Sequence, residues 1–396
     1  MSRPASTRAS LIFLALTLLG FLAASSAPTP LYHLYQEQLQ FSPAVLTLIF
    51  GVYAFSLLAA LLTVGSLSDY LGRKPVIFVA LLLNMLAMLL FISADSVAWL
   101  ISARLIQGFA TGMATSVLGA ALLDFDRRQG PLITSVAPLL GMACGALGCG
   151  LLAEFAPLPL QLTYWLLLGL FLAQAVYLWR LAESVSPQPG AWQSLRPTLH
   201  VPPQARQALW RVLPLDLAAW AVGGFYLSLA PSLVRAATGS TSNLIGGALV
   251  AVLTLSGASS IYLLRNQGAD TMLRLSASLL VIGLALVLAA VHGASLSLFF
   301  VGTLVTGGGF GAGFLGALRS IMPLALPHER AGLMSAFYVL SYLAFSLPSL
   351  LAGNLTRVFG LIPTTDGYGA ILIVLSAAAL LGLRQSIRPV SDGARP

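Results

Sequence analysis

Two long apolar segments of the chain are separated by the charged stretch Gly65-Ser-Leu-Ser-Asp-Tyr-Leu-Gly-Arg-Lys-Pro75. Only 8% of the 396 residues are charged, so this cluster indicates a short loop that leaves a membrane and returns to it directly. Hydrophobic residues make up 58% of the chain, compared with about 45–50% in soluble domains. A chain of this composition cannot hide its apolar surface in water, which predicts a protein that crosses a membrane many times.

Twelve apolar stretches are long enough to cross a bilayer, since a spanning helix needs about 20 mostly apolar residues. The predicted spans are approximately residues 9–31, 43–65, 75–94, 96–122, 130–153, 160–181, 209–231, 242–264, 271–291, 293–318, 331–353 and 368–385. A connector rich in Pro, Gln and Ser, residues 182–208, separates the sixth span from the seventh. We therefore expect an all-α membrane fold of two six-helix bundles, residues 1–181 and 209–396, joined by that connector.

The basic residues are distributed unevenly between the two sides of the predicted membrane. Of the 20 Lys and Arg residues, 17 fall at the two ends, in the connector and in alternate loops, whereas only Arg235 and Arg357 fall in the opposite loops. The 17 are Arg3, Arg8, Arg73, Lys74, Arg127, Arg128, Arg180, Arg196, Arg206, Arg211, Arg265, Arg274, Arg319, Arg330, Arg384, Arg388 and Arg395. Because basic residues accumulate on the cytoplasmic side, we expect both termini and the connector to be cytoplasmic, in a bacterial inner membrane. The net charge of +8 then reflects topology and not nucleic acid binding.

The two halves of the chain show a weak internal repeat. The turn Arg127-Arg-Gln-Gly130 matches Glu329-Arg-Ala-Gly332 at an offset of 202 residues. The opening loop aligns with Leu264–Asp270 at an offset of 196 residues, but Arg265 stands at the position of Asp69. Repeated halves with a binding site between them are a transporter architecture. Because the carboxylate is replaced by a cation, the second copy of the loop is not expected to act like the first.

The opening loop fits the signature Gly-x-Leu-x-Asp-x-x-Gly-Arg-Lys at Gly65, Leu67, Asp69, Gly72, Arg73 and Lys74. It thereby resembles the loop between the second and third helices of the major facilitator superfamily, in particular of its twelve-helix drug and metabolite:proton antiporters. One departure is Tyr70, which stands where the family often has Arg. The resemblance implies two pseudo-symmetric six-helix bundles that move a small molecule by alternating access.

The charges of this loop are expected to form a latch on the cytoplasmic side. Asp124, at the end of the fourth span, is the natural anion for Arg73, and Gly72 permits the sharp turn before the third helix. In related transporters such a network holds the two halves together in the outward-open state. Alternatively, Arg73 and Lys74 are only the topology charges expected on the inner side.

A second motif, Arg104-Leu-Ile-Gln-Gly108, lies about seven residues inside the fourth span. A cation in hydrocarbon is costly and usually faces a cavity or a partner. Arg104, Gln107 and Thr111 recur at helical spacing, which predicts one polar stripe that faces inward. The motif resembles the Arg-x-x-Gln-Gly signature of the family, a site implicated in proton coupling in its antiporters. The alternative is an arginine that bonds to loop carbonyls or extends to the outer surface.

Two spans carry glycines at positions where helices pack or bend. On the fifth span, Gly141 and Gly145 form a small-residue face that resembles the family's antiporter signature, although the usual Gly-Pro pair is Ala-Pro here. Ordinary helix packing explains the same residues. In the tenth span, a glycine run that includes Gly308 and Gly311 either forms a bending point for a gate or permits tight packing.

The resemblance implies a central cavity lined by the first, fourth, seventh and tenth helices, with contributions from the fifth, eighth and eleventh. The candidate lining residues are Tyr32, Tyr35, Gln107, Thr111, Trp220, Phe225, Tyr226, Asn243, Phe310, Tyr338 and Tyr342. An aromatic cavity suits amphipathic organic compounds. The first span has no Asp or Glu in its middle, where many antiporters of the family carry one. Asp216 is therefore the candidate proton carrier, unless it pairs with Arg211 or with another basic group at the cytoplasmic face.

These features predict a secondary active exporter of small organic molecules, drug-like or metabolite, that exchanges them for protons and works as a monomer. An uptake symporter or uniporter for a small metabolite, such as an anionic one, is the alternative, because Arg104 is the clear intramembrane charge. An enzyme is not expected, because the sequence has no combination of nucleophile, base and orienting residue. No Cys/His motif indicates a metal, and no cofactor is expected.

Overall fold

The structure is a computed structural model that describes residues 7–385, and every element within that range is helical. In the first half the helices are α1 (Thr7–Ser26), α2 (Tyr32–Leu39), α3 (Pro43–Val64), α4 (Ser68–Leu71), α5 (Arg73–Ile92), α6 (Val97–Phe125), α7 (Gly130–Phe155) and α8 (Leu162–Leu178). The connector contains one short helix, α9 (Ala191–Ser194). The second half contains α10 (Pro203–Ser228), α11 (Ala230–Thr238), α12 (Asn243–Leu264), α13 (Ala269–His292), α14 (Leu296–Ile321), α15 (Arg330–Phe359) and α16 (Leu361–Gln385). The basic residues Arg3, Arg388 and Arg395 lie outside the described residues.

The helices account for the twelve predicted membrane crossings. Within residues 7–385, ten segments are long and apolar enough to cross a membrane, and the bent pair α10–α11 supplies an eleventh. The twelfth is α8, which is apolar but has 17 residues. The chain is therefore an all-α integral membrane protein.

The first and seventh crossings are broken at corresponding places. The first was predicted as one span over residues 9–31, but α1 stops at Ser26 because Pro28 and Pro30 lack amide donors. The seventh was predicted as one span over residues 209–231, but α10 ends at Ser228 and α11 continues at an angle of 66° to it. These two breaks lie about 200 residues apart, as expected for a repeated unit.

The eleventh and twelfth crossings are longer than the hydropathy pattern predicted. The eleventh was expected at residues 331–353, but α15 continues to Phe359 and ends where Gly360 adopts φ +85°. The twelfth was expected to begin at residue 368, but α16 begins at Leu361. Its first turns contain two threonines whose hydroxyls donate to carbonyls of the preceding turn, at 2.7 Å for Thr364 and 2.8 Å for Thr365. Because these polar groups are satisfied within the helix, a segment of low hydropathy still enters it.

The internal repeat is visible in the packing of helices. In the first half, Ser56 of α3 donates to the carbonyl of Leu105 on α6 at 2.6 Å. In the second half, Ser256 of α12 donates to the carbonyl of Leu304 on α14, also at 2.6 Å. The donors are 200 residues apart and the acceptors 199. The same helix–helix contact is therefore built twice.

Two large apolar cores lie on either side of the connector. One is formed by buried residues between Phe13 and Leu181, and the other by residues between Ala205 and Leu383. The halves meet along α3 and α15, where Phe50 packs against Phe345 with ring centroids 5.0 Å apart, and along α7 and α12. The division at residues 182–208 into two bundles stays a prediction that these two cores favour.

Candidate functional site

A cavity of about 340 Å³ lies between the two halves. Its walls come from α1, α3, α6, α7, α10, α12, α14 and α15. Eight aromatic side chains line it, namely Phe50, Tyr53, Trp220, Phe310, Phe314, Tyr338, Tyr342 and Phe345. The rings of the second half pack around Trp220, which lies 4.9 Å from Tyr342 and 5.9 Å from Phe345, measured between ring centroids. The second half thus presents an aromatic wall to the cavity.

The cavity extends towards the side of the membrane that carries the opening loop. Its lining includes Leu61, Leu123 and Thr134, at the ends of α3, α6 and α7 nearest that loop. At the opposite side the halves are bridged by hydrogen bonds. Thr29 Oγ1 donates to the carbonyl of Leu227 at 2.9 Å, so the two broken helices meet there. This state is therefore closed on the side away from the loop.

One further bridge on the closed side joins α2 to α11. Arg235 Nη2 lies 2.8 Å from His33 Nε2 and donates to the carbonyl of Thr241 at 3.0 Å. A guanidinium can only donate, so the His33 nitrogen facing it is the acceptor, which requires a neutral imidazole. On the neighbouring pair of helices, Glu154 of α7 accepts the backbone amide of Asn243 at 2.7 Å and caps the start of α12.

Arg104 lies on the wall of the cavity that the first half provides. It is 1% exposed and its guanidinium lies 4.3 Å from the ring centroid of Tyr53. Nη1 donates to the carbonyl of Ser25 at 2.9 Å and to Gln107 Oε1 at 2.7 Å. Nε has no partner among the described residues. One bond is made to the end of α1 and the other within α6, so neither goes to a loop or to the outer surface.

The proline that interrupts α1 explains why Arg104 and Gln107 are needed. The carbonyl of Ala24 would accept the amide of residue 28 in a continuous helix, but Pro28 has no amide hydrogen. Gln107 Nε2 donates to this carbonyl at 2.8 Å, and Arg104 satisfies the next one. The end of a helix also carries partial negative charge, which favours a cation. The fourth-crossing motif therefore completes the broken first helix.

Arg104 is the only charged side chain that lines the cavity within residues 7–385. No ion pair between Arg104 and a carboxylate occurs in the described part of the chain. The corresponding position in the second half, 199 residues later, is Thr303, which shares a hydrogen bond of 2.9 Å with Tyr226. The repeat therefore has a cation at the cavity wall of the first half and a neutral hydroxyl pair inside the core of the second half.

Several predicted lining residues lie away from the cavity, and these assignments are corrected. Tyr226 bonds to Thr303 inside the second core, and Phe225 packs against Tyr368 with ring centroids 5.0 Å apart. Tyr35 is buried in the first core against Tyr164, with hydroxyl oxygens 3.3 Å apart. Tyr32, Gln107, Thr111 and Asn243 also lie outside the cavity lining. The sequence identifies the helix that carries such a residue, but not the face of the helix that meets the cavity.

The remaining predicted residues do line the cavity or pack the helices around it. Trp220, Phe310, Tyr338 and Tyr342 are in the lining. A side chain at Gly141 or Gly145 would meet the backbone of α1, and one at Gly311 would meet the backbone of α12. A side chain at Gly308 would meet only side-chain atoms, of Leu279 and Ser256. Because α14 continues without a break through the glycine run, these glycines serve close packing in this state.

Asp216 is fully buried in α10, directly beside the aromatic wall. Its Oδ2 accepts a hydrogen bond of 2.8 Å from Ser341 on α15, and its Oδ1 has no partner among the described residues. Trp220 stands four residues further along α10, about one helical turn away, and its indole N–H has no partner among the described residues. The predicted alternative partner, Arg211, instead lies 3.7 Å from Asp270. Burial of a carboxylate without a cationic partner costs free energy. Asp216 therefore differs from a carboxylate that is held in an ordinary ion pair.

The opening loop forms an ionic network with the end of α6. Arg73 Nε donates to Asp124 Oδ2 at 2.9 Å, and its Nη1 donates to Asp69 Oδ1 at 2.5 Å and to Ser68 Oγ at 2.7 Å. Gly72, with φ +94°, provides the turn into α5. Gly65 ends α3, and a side chain there would meet the preceding turn. All of these residues belong to the first half of the chain.

Glu183, at the start of the connector, is a member of this network that the sequence reasoning missed. Its two carboxylate oxygens accept the backbone amides of Arg73 and Lys74 at 2.8 and 2.9 Å. Lys74 Nζ donates to the carbonyl of Leu181 at 2.9 Å. Ser184 Oγ donates to Asp124 at 2.9 Å. In this state the loop therefore fastens the connector to the first half, not one half to the other.

The corresponding loop of the second half uses the opposite arrangement of charge. Arg319, near the end of α14, donates to the backbone carbonyls of Gln267 and Arg265 at 3.0 and 2.7 Å. In the first half the helix end carries the carboxylate of Asp124 and the loop carries the cation. The second loop is thus held by carbonyl acceptors and does not reproduce the carboxylate–arginine network.

Comparisons with known proteins agree on the family and the fold. The profile of the Major Facilitator Superfamily matches residues 12–349. The multidrug resistance protein MdtL of Salmonella typhimurium is 36% identical over 114 residues, which is 27% of this chain and 29% of that protein. Its counterpart in Klebsiella pneumoniae is 33% identical over 119 residues, 28% of this chain and 30% of that protein.

Solved structures share the fold at low sequence identity. The nucleoside transporter NupG, solved as a point mutant, superposes with a TM-score of 0.72 at 13% identity, covering 95% of this chain and 100% of that one. A bacterial homologue of the human lysosomal transporter Spinster, in an inward-facing and unoccupied conformation, superposes with a TM-score of 0.72 at 14% identity. The superposition covers 96% of this chain and 97% of that one. The human organic anion transporter MFSD10 superposes with a TM-score of 0.63 at 18% identity, covering 95% of this chain and 100% of that one.

Proposed function

Because the chain belongs to the Major Facilitator Superfamily and is therefore an integral membrane transporter and not an enzyme, we propose that it exports small amphipathic organic molecules in exchange for protons. The observation that carries the proposal is the cavity between the halves, which extends towards the loop side and is closed on the other. Its volume of about 340 Å³ lies within the range of small-molecule sites. The aromatic wall favours organic molecules with an apolar part.

The side from which the cavity is loaded in this state follows from the orientation that we propose. Basic residues concentrate on the side of the opening loop, which in a bacterial inner membrane is the cytoplasm. Both termini and the connector then lie in the cytoplasm, and the protein works as a monomer. In this arrangement the cavity receives a molecule from the cytoplasm and releases it after the halves rock to the other state. The partial similarity to a protein named for multidrug resistance supports an organic substrate.

Asp216 is the proposed proton carrier. As a neutral acid it fits its buried position, held by Ser341. After loss of the proton, the carboxylate is stabilised by a further donor, and the indole of Trp220 on the next turn carries an N–H without a partner. Because Trp220 lines the cavity, movement of its ring would change the wall against which the substrate rests. Proton release would thus be coupled to substrate binding.

The opening loop is the proposed latch of the transport cycle, with Asp69, Arg73 and Asp124 as its core. Glu183 and Lys74 extend this network to the connector. In the outward-open state the latch would have to exchange connector contacts for contacts with the second half. On this proposal Asp69→Asn and Arg73→Ala impair transport and leave substrate binding largely intact.

A second candidate function is uptake of a small anionic metabolite by symport or uniport. It is favoured by the charge of the cavity, because the one charged side chain in the lining within residues 7–385 is the cation Arg104. The same cavity serves both functions, because alternating access is reversible. Direction is therefore decided by the energy source and not by the site.

Transport by reconstituted protein tests the proposal. Proteoliposomes that contain the wild-type protein or Asp216→Asn are loaded with candidate aromatic compounds, and efflux is measured with and without an inwardly directed proton gradient. We expect the gradient to accelerate efflux at least tenfold in wild-type vesicles, while Asp216→Asn retains exchange of substrate for substrate but loses the response to the gradient. If the efflux rate of wild-type vesicles is the same with and without the gradient, proton coupling is refuted. Accumulation instead of efflux would establish uptake.

A further inference from the structure

We infer that the substrate is an aromatic organic anion, whose oxyanion group binds to Arg104 while its ring lies against Trp220 and Tyr342. This inference rests on the proposed function and specifies the class of substrate for the same cavity. It starts from the charge of the lining, where Arg104 contributes a cation and no Asp or Glu contributes a compensating charge within residues 7–385. With Asp216 in its proposed neutral form, the lining offers a cationic substrate no counter-ion.

The hydrogen bonds of Arg104 leave room for another acceptor. Both of its bonds come from Nη1, to the carbonyl of Ser25 and to the amide oxygen of Gln107. These acceptors are neutral, so they do not cancel the charge of the guanidinium. Its Nε is buried and has no partner among the described residues. A guanidinium pairs best with a planar or tetrahedral oxyanion through two parallel hydrogen bonds, and a substrate oxyanion would supply them.

The two recognition features line the same cavity and are connected through aromatic side chains. Phe50 and Tyr53 are one turn apart on α3, where Tyr53 stacks on Arg104 and Phe50 packs against Phe345. Phe345 in turn lies 5.9 Å from Trp220, measured between ring centroids. A molecule that combines a ring with an anionic group can therefore contact the aromatic wall and the cation together. This arrangement favours amphipathic aromatic anions over neutral or cationic aromatics.

Binding of three matched probes tests the inference. The probes are 1-naphthalenesulfonate, 1-naphthylmethanol and 1-naphthylmethylammonium, which share one ring system and differ in charge. Their affinities for the purified full-length protein in detergent are measured by isothermal titration calorimetry. We expect the sulfonate to bind at least tenfold more tightly than the ammonium. Equal or tighter binding of the ammonium, or no binding of the sulfonate, would overturn the inference.

Two variants show whether Arg104 is responsible for the preference. Arg104→Gln should lower the ratio of sulfonate affinity to alcohol affinity at least tenfold. A general loss of packing would weaken both probes and leave this ratio unchanged. If Arg104→Gln does not fold, Ser25→Asp keeps the arginine and places a carboxylate beside it, which should abolish the preference for the sulfonate. Arg357→Gln removes an equal charge from an exposed position and should leave the ratio unchanged. A ratio that is the same in wild-type and both cavity variants would refute the assignment.

The failure of this inference can be distinguished from the failure of the exporter proposal. The binding experiment requires no gradient and no movement across a membrane. A protein that binds the sulfonate through Arg104 but moves no compound in proteoliposomes would refute the exporter proposal alone. Proton-dependent export of compounds whose affinity is unchanged by Arg104→Gln would refute the anion inference alone.

Discussion

Gln107 replaces the backbone hydrogen bond that Pro28 removes from α1, and Arg104 bonds to the next carbonyl. Gln107 donates to the carbonyl of Ala24, which is buried and has no amide donor at residue 28. Removal of one partner from a buried hydrogen bond costs about 1–3 kcal/mol, because the other partner is left desolvated. The polar stripe of the fourth crossing is thus first a structural support for the broken helix, and of its three members Arg104, Gln107 and Thr111 only Arg104 lines the cavity.

This support predicts a compensating pair of substitutions. Gln107→Leu should lower the free energy of unfolding by about 1–3 kcal/mol. Pro28→Ala restores an amide that can donate to the same carbonyl, so the double variant should recover part of the loss. The midpoint of thermal unfolding in detergent provides the measurement, and Gln38→Leu at an exposed position of α2 serves as the control. Equal midpoints for Gln107→Leu and the double variant would contradict this explanation.

Residues within one motif were easier to predict from the sequence than contacts between distant segments. The expected contact between Arg73 and Asp124 came from their positions at helix ends on the same side of the membrane. Glu183 was missed because it reaches α5 from 110 residues away, and a single acidic residue after a crossing gives no local signal. Tyr226 and Phe225 were assigned to the cavity because they lie on the correct helix, but their faces point into the second core. Only the packing of the helices determines which face meets the cavity.

At the scale of an element, the start of α5 depends on Glu183. The carboxylate accepts two backbone amides of the first turn and complements the positive end of the helix. Glu183→Ala should therefore lower the free energy of unfolding by about 0.5–1 kcal/mol and slow transport, because the connector loses two of its hydrogen bonds to the start of α5. Thermal unfolding and proteoliposome efflux measure the two effects. Asp95→Ala, at an exposed position between α5 and α6, is the matched control; a loss as large there would show that any exposed carboxylate has the same effect.

At the scale of the whole molecule, the state of the cavity depends on bridges between the halves on the closed side. The bridge from Arg235 to His33 requires a neutral imidazole as acceptor. Arg235→Ala should therefore shift the protein towards the state that is open on that side. The measurement uses a cysteine at the lining position Leu227 in a background without Cys144 and Cys149, probed with a membrane-impermeant thiol reagent from that side. Arg357→Ala is the control for charge, and unchanged labelling in Arg235→Ala would show that the bridge does not hold the closed state.

Exchange of an organic anion for a proton moves two elementary charges in each cycle. Each charge that crosses the membrane gains about 2.3 kcal/mol per 100 mV, so the cycle gains about 4.6 kcal/mol per 100 mV. One unit of pH difference contributes about 1.4 kcal/mol, which makes the membrane potential the larger driving force. Efflux of 1-naphthalenesulfonate from proteoliposomes should therefore accelerate when a potassium gradient with valinomycin makes the interior negative, even at equal pH on both sides. Equal potassium concentrations remove the potential and provide the control. If efflux is the same with and without the potential, the transport cycle moves no net charge. In that case either the anionic substrate or the opposite direction of proton movement is refuted.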